Sequence, residues 1–279
     1  MNNGPLVLVH GAFHGAWCWN EVIVELAALG RAAVAVDLPG HGLRAGRPAA
    51  LLRRPFDPGA FASEVSPLAH VDIAGAAADL ADTVRRVGRG APATLVAHSI
   101  GGTVVTRLAQ ENPSLVARIV YVSGYMPASE VTALAYMKRP EFAESRIPAL
   151  LSGDASVTGA LRIDTRSDDE EVLRTLRETL YGDVPRPLAD AAIALLGSDA
   201  PIGLAAQTTR LTAEAWGSVP RTYVRCTRDK SVPLGLQDLF ITEADAAFPG
   251  NPTVVTSLPT AHSPFLSAPR LLAETIHTL

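Results

Sequence analysis

Short apolar runs rich in β-branched residues alternate along the chain with longer stretches whose apolar positions recur at helical spacing. The runs are Leu6 to Val9, Ala33 to Val36, Thr94 to Ala97, Ile119 to Val122, Thr222 to Cys226 and Thr253 to Leu258. Runs of this kind predict strands buried on both faces, as in a parallel sheet. Between them the helical period predicts helices over Trp19–Leu29, Ile73–Val87, Gly101–Gln110, Leu234–Ala247 and Pro269–Thr278. Such alternation specifies an α/β fold: a doubly wound, mostly parallel sheet with helices on both faces.

Two segments break the rhythm. Residues 43–70 carry Arg44, Arg47, Pro48, Arg53, Arg54, Pro55, Pro58 and Pro67 and predict a long irregular excursion. Loops of that length in a compact domain are usually functional or disordered. Residues 125–216 are helical in pattern, most clearly at Asp168–Tyr181 and Pro187–Leu196, with no convincing strand. A helical insertion between strands predicts a cap over the carboxyl edge of the sheet, where open α/β sheets bind ligands. The expected organisation is one domain over 1–279, with a core of 1–124 and 217–279 and a helical cap at 125–216. Cap and excursion together are expected to line an apolar pocket. Tyr125, Met126, Met137, Phe142 and Leu150 are candidate walls; the plainer reading is that they form the cap's own core.

Composition narrows the function. The 279 residues suffice for a sizeable core. With 24 basic and 28 acidic side chains and no long run of either sign, nothing suggests a nucleic-acid surface. Cys18 and Cys226 are too few for a disulfide framework or a zinc cluster. No apolar stretch approaches the roughly 18 residues of a membrane span, and the N-terminus lacks the basic segment of a signal peptide. A cytoplasmic location without membrane partners is therefore expected, while the oligomeric state is not legible. No phosphate-binding glycine pattern follows a strand and no ligand cluster of His, Cys and acid stands out, so neither a nucleotide nor a metal cofactor is expected.

The most informative stretch is Thr94-Leu-Val-Ala-His-Ser-Ile-Gly-Gly102. A strand ends, Ser99 follows, and a helix begins within two residues; small neighbours permit the sharp turn that exposes a nucleophilic hydroxyl. Ala97 stands where the usual G-x-S-x-G pattern has its first glycine. The plain alternative is a serine that only caps the helix. A serine hydroxyl needs a positioned base, and on this kind of turn the partners follow in the order serine, acid, histidine. Only His262 and His277 lie far enough downstream; His277 sits in the last helical pattern, whereas His262 follows the final strand. For the acid, Asp229 lies just past the strand Thr222–Cys226. The aspartates at 154, 164, 168, 169, 183, 190 and 199 fall in the expected cap, and Asp238 and Asp245 on a helix. Some enzymes of this architecture place the acid after the preceding strand, but Tyr121-Val-Ser-Gly-Tyr125 has no carboxylate. Acyl transfer also needs N–H donors for the oxyanion. Ile100 is expected to supply one, and the loop after the first strand the other, from Ala12 with Phe13 as the fallback. His10 and His14 are expected to hydrogen-bond locally, and Trp17 and Trp19 to be core or pocket wall.

His10-Gly-Ala-Phe-His-Gly-Ala-Trp-Cys-Trp19, Asp37-Leu-Pro-Gly-His-Gly42, the Ser99 turn, Cys226-Thr-Arg-Asp229 and Ala261-His262 together resemble the α/β-hydrolase superfamily. More narrowly they resemble its esterase and hydroxynitrile lyase branch, with plant methylesterases and bacterial carboxylesterases. The likeness covers about 5–42, 94–124 and 219–279 and is poor over 43–70 and 125–216. It implies the same triad and oxyanion loop on Ser99, Asp229, His262, Ala12 and Ile100, and a small-molecule ester as substrate. Other outcomes on this fold are a lactonase, a C–C bond hydrolase, a hydroxynitrile lyase or a non-catalytic ligand receptor. Lyases of the branch carry a lysine after the catalytic histidine and a threonine after the first-strand histidine. Here those positions are Ser263 and Gly11, which favours ester hydrolysis.

Overall fold

In the computed structural model, which describes residues 4–279, all six predicted strands form. The strands in chain order are β1 (Leu6–Val9), β2 (Ala33–Val36), β3 (Ala93–His98), β4 (Val116–Val122), β5 (Ala160–Arg162), β6 (Asp199–Pro201), β7 (Arg221–Cys226) and β8 (Val254–Leu258). Six of them make one sheet in the order β2-β1-β3-β4-β7-β8, with every neighbour parallel. Alternation along β1 divides the core: Leu6 and Leu8 meet Trp19, Leu26 and Leu272, whereas Val7 and Val9 meet Leu80, Val84 and Leu108. Helices Asn20–Ala28 and Pro269–His277 thus cover one face, and Ile73–Gly88, Gly101–Glu111 and Leu234–Ala247 the other.

Burial on both faces holds for the inner strands and fails at the edges. Val34 on β2 is 40% exposed, and Val254 and Val255 on β8 are 52% and 41% exposed. An edge strand has one neighbour, so part of its apolar surface meets water even where the run reads as continuous.

The segment 125–216 departs from the all-helical expectation. Helices Glu170–Leu180 and Arg186–Leu195 form as predicted, but β5 and β6 pair antiparallel beside them. Their sequences, Ala-Leu-Arg and Asp-Ala-Pro, are too short and too polar to show a two-residue period. Leu161 and Ala200 join the apolar cluster around Leu176 and Leu180, and an ion pair crosses the two strands. Arg162 and Asp199 sit opposite in the register and form a fully buried two-pronged ion pair, with both N–O distances 2.8 Å.

The excursion at 43–70 is also more regular than expected, with helices Ala49–Leu52 and Pro58–Ser63. It fastens onto the segment 125–216: the Arg162 guanidinium donates to the carbonyls of Phe61 and Glu64, and the Ser66 N–H donates to Thr158 O at 2.7 Å. Among the described residues no helix is long and apolar enough to cross a membrane.

Candidate active site

The loops that leave β1, β3, β4, β7 and β8 at their carboxyl ends carry Gly11–Phe13, Ser99, Ser123, Asp229 and His262 respectively. They meet beside β1 and β3, where the strand order reverses and open α/β sheets form a crevice.

Ser99 has φ +50°, a left-handed conformation that costs a non-glycine residue about 1–3 kcal/mol and persists only when its surroundings fix it. Its carbonyl does so by accepting from the N–H groups of Gly102 at 3.0 Å and Tyr125 at 2.8 Å. A Cβ at Gly101 would lie 2.4 Å from the His10 carbonyl oxygen, and one at Gly102 2.1 Å from that of Tyr125. The close approaches therefore fall after the serine; Ala97, before it, fits as the buried end of a strand.

His262 Nδ1–H donates to Asp229 Oδ2 at 2.7 Å, so Nε2 carries no proton in the neutral ring. His262 and Ser99 line the same pocket. Asp229 Oδ1 accepts from the N–H groups of Ser231 at 2.6 Å and Val232 at 2.9 Å, and the Ser123 hydroxyl donates to Oδ2. His98 Nε2–H donates to the His262 carbonyl at 2.9 Å, and the two rings lie 4.4 Å apart. Ser123 and His98 had no role in the sequence reading. Ser123 could have been found as the first residue past the strand that adjoins β7.

The loop after β1 is pinned by its histidines, each through one local bond as expected and one to a distant residue. His10 Nε2 accepts from the Leu38 N–H at 3.1 Å, which places the proton on Nδ1, donating to Gly11 O at 2.7 Å. His14 Nδ1 donates to Ala12 O at 2.8 Å, and its Nε2 takes the Tyr181 hydroxyl at 2.9 Å. These bonds fix the peptide planes that carry the N–H groups of Ala12 and Phe13. Phe13 itself has φ +64°, and its carbonyl accepts from Gly197 N–H at 2.8 Å. The N–H groups of Ala12, Phe13 and Ile100 have no acceptor among the described residues. All three residues line the pocket with Ser99.

The roof comes from 125–216, including Met137, Ile147, Leu151 and Leu180, with Leu161 from β5. Of the five cap candidates, Tyr125 and Met137 line the pocket; Met126, Phe142 and Leu150 are buried without lining it. Contrary to expectation no residue of 43–70 lines it; that segment is bonded instead to Thr158 and Arg162, away from the lining. His262 is the one ionisable lining group besides the Tyr125 phenol, whose titration burial pushes up, out of the physiological range. Trp19 is core, as expected, and Trp17 is half-buried against it. Among the described residues no three His, Cys, Asp or Glu side chains converge as metal ligands.

Burial drives the histidines around the site below their ordinary titration range: His14 to about 3 and His41 to about 4, with His10 and His98 also lowered. In the unfolded chain each returns to about 6.5. Below that pH the unfolded state therefore binds protons that the folded state refuses, and stability falls as pH falls. Each group contributes about 1.4 kcal/mol per pH unit. His14 and His41 alone predict a loss on the order of 2 kcal/mol between pH 7 and 5.5, and His10 and His98 act in the same direction. Urea midpoints at pH 7.5 and 5.5 check this; equal midpoints would contradict it.

Comparison with known proteins agrees with the fold. The profile of the alpha/beta hydrolase family matches residues 6–275. A pyrethroid hydrolase of Sphingobium wenxiniae is 28% identical over 274 residues, covering 97% of this chain and 85% of that protein. Methylesterase 2 of Arabidopsis thaliana is 25% identical over 277 residues, covering 96% of this chain and 92% of its own. Among solved structures, a pyrethroid hydrolase from Sphingobium faniae superposes with a TM-score of 0.76 at 25% identity, covering 99% and 97% of the two chains.

Proposed function

We propose that this chain, which belongs to the alpha/beta hydrolase family, hydrolyses carboxylic esters of apolar, uncharged small molecules through an acyl-enzyme on Ser99. The observation that carries the reading is the His262–Asp229 bond, which leaves Nε2 as the free base in the pocket that Ser99 lines. Ser99 Oγ attacks the ester carbonyl carbon while its proton passes to His262 Nε2. The oxyanion is held by the N–H groups of Ile100 and Ala12, with Phe13 as the alternative second donor; their lack of an acceptor among the described residues supports this. The imidazolium then protonates the departing alkoxide, leaving an acyl-Ser99. Water attacks that ester as His262 takes a second proton; the acid leaves and the proton returns to Ser99. In this reading residues 125–216 are the cap that shields the acyl-enzyme. The relatives named as a pyrethroid hydrolase and a methylesterase support ester hydrolysis, and the apolar lining supports an uncharged substrate.

Cyanohydrin cleavage is disfavoured by the same geometry. A side chain at Gly11, where lyases of this branch have threonine, would place its Cβ 2.7 Å from both His98 Nδ1 and Ser99 Cβ. Lys138 and Lys230 are exposed and neither lines the pocket, so no lysine is at hand to stabilise departing cyanide. With p-nitrophenyl acetate and mandelonitrile compared at equal enzyme concentration, the expected result is ester turnover without detectable cyanide. Cyanide release without ester turnover would overturn the assignment.

A further inference from the structure

Ser123 is fully buried and left-handed, with φ +42°, immediately past the end of β4. Its N–H donates to Val224 O at 2.9 Å, which seats it alongside β7, the strand that leads into Asp229. From there its hydroxyl donates to Asp229 Oδ2, the oxygen that also receives His262 Nδ1–H. A carboxylate offers about four lone-pair positions. With Ser231 and Val232 on Oδ1, all four are filled, two of them by residues that follow other strands, Ser123 after β4 and His262 after β8.

The backbone conformation adds an independent observation. A serine in the left-handed region is unfavourable, and Gly124, which tolerates it, is the next residue. Strain is thus held at the position whose hydroxyl reaches the carboxylate. Without that hydroxyl Oδ2 keeps one buried lone pair with no donor, and the carboxylate loses the contact that opposes rotation away from Nδ1. We infer that Ser123 is a positioning residue: it fixes the rotation of the Asp229 carboxylate so that Oδ2 holds the imidazole in the tautomer and orientation that ester cleavage needs. The inference rests on the acyl-enzyme reading above, because it assigns the role through Asp229 and His262 and gives Ser123 no contact with substrate.

The test compares acylation by an activated p-nitrophenyl ester in four proteins: wild type, Ser123→Gly, Asp229→Asn and the double variant, with Ser123→Ala as a second hydroxyl deletion. Glycine suits φ +42°, so Ser123→Gly removes the hydroxyl and relieves the backbone together, and the fold is kept. The expected result is an unchanged burst of one per chain, an unchanged KM, and acylation slowed about tenfold, the effect of losing one hydrogen bond to a charged group. Ser123→Ala should show the same loss. In the Asp229→Asn background Ser123→Gly should slow acylation by less than about twofold, since residues that act as one unit are not additive. A full tenfold effect in both backgrounds would overturn the inference, as would a smaller burst at wild-type rate, a loss in only one of the two single variants, or no loss at all. Absence of any covalent adduct on wild-type Ser99 after reaction with a p-nitrophenyl phosphonate would instead refute the acyl-enzyme reading itself.

Discussion

Replacing Ser99 with alanine is expected to leave the thermal midpoint within a few degrees of wild type and to lower kcat by roughly 10⁴–10⁶-fold. Alanine accepts the same left-handed backbone no worse than serine, and the bonds from Gly102 and Tyr125 go to the main-chain carbonyl, so the turn survives. What is lost is the one atom that attacks. His262→Ala should be comparably severe, because a hydroxyl without its base is a weak nucleophile. The double variant should be little worse than either single one. Steady-state rates on an activated ester decide the matter: losses that multiplied would mean that the two residues act independently.

Asp229→Asn should cost kcat about 10⁴-fold at neutral pH, with the fold intact. The reason lies in the two oxygens. Oδ1 is held by the N–H groups of Ser231 and Val232, so an amide oxygen has to occupy that side. The amide nitrogen then faces His262 and donates where the carboxylate accepted. The imidazole is forced to carry its proton on Nε2, where it cannot take the proton of Ser99. A wild-type rate for this variant, measured with the same ester, would show that another group serves as the acid.

Much of this was legible in the sequence because the sheet and the site share one logic. A parallel strand buried on both faces announces itself as an apolar run, and the residue just past it lies at the carboxyl edge. Ser99, Asp229 and His262 could each be placed that way, as could the Gly11–Phe13 loop. Asp199 could be set aside as an acid for the same reason, and its buried partner is Arg162. Ser123 escaped because a search for carboxylates passes over a hydroxyl, although β4 and β7 are neighbours. The attachment of 43–70 to the segment 125–216 escaped for a different reason. It depends on main-chain carbonyls of Phe61 and Glu64, which no side-chain pattern advertises. β5 and β6 are three residues each, too short for a two-residue period to register.

The central claim is that Ser99 forms the acyl-enzyme, and intact-mass spectrometry after reaction with a p-nitrophenyl phosphonate tests it most directly. The account predicts one phosphonyl adduct per chain, mapped to the peptide that contains Ser99, and no adduct on the Ser99→Ala protein under the same conditions. Full labelling of the Ser99→Ala protein, or ester turnover by wild type that survives the reagent without any adduct at Ser99, would contradict it.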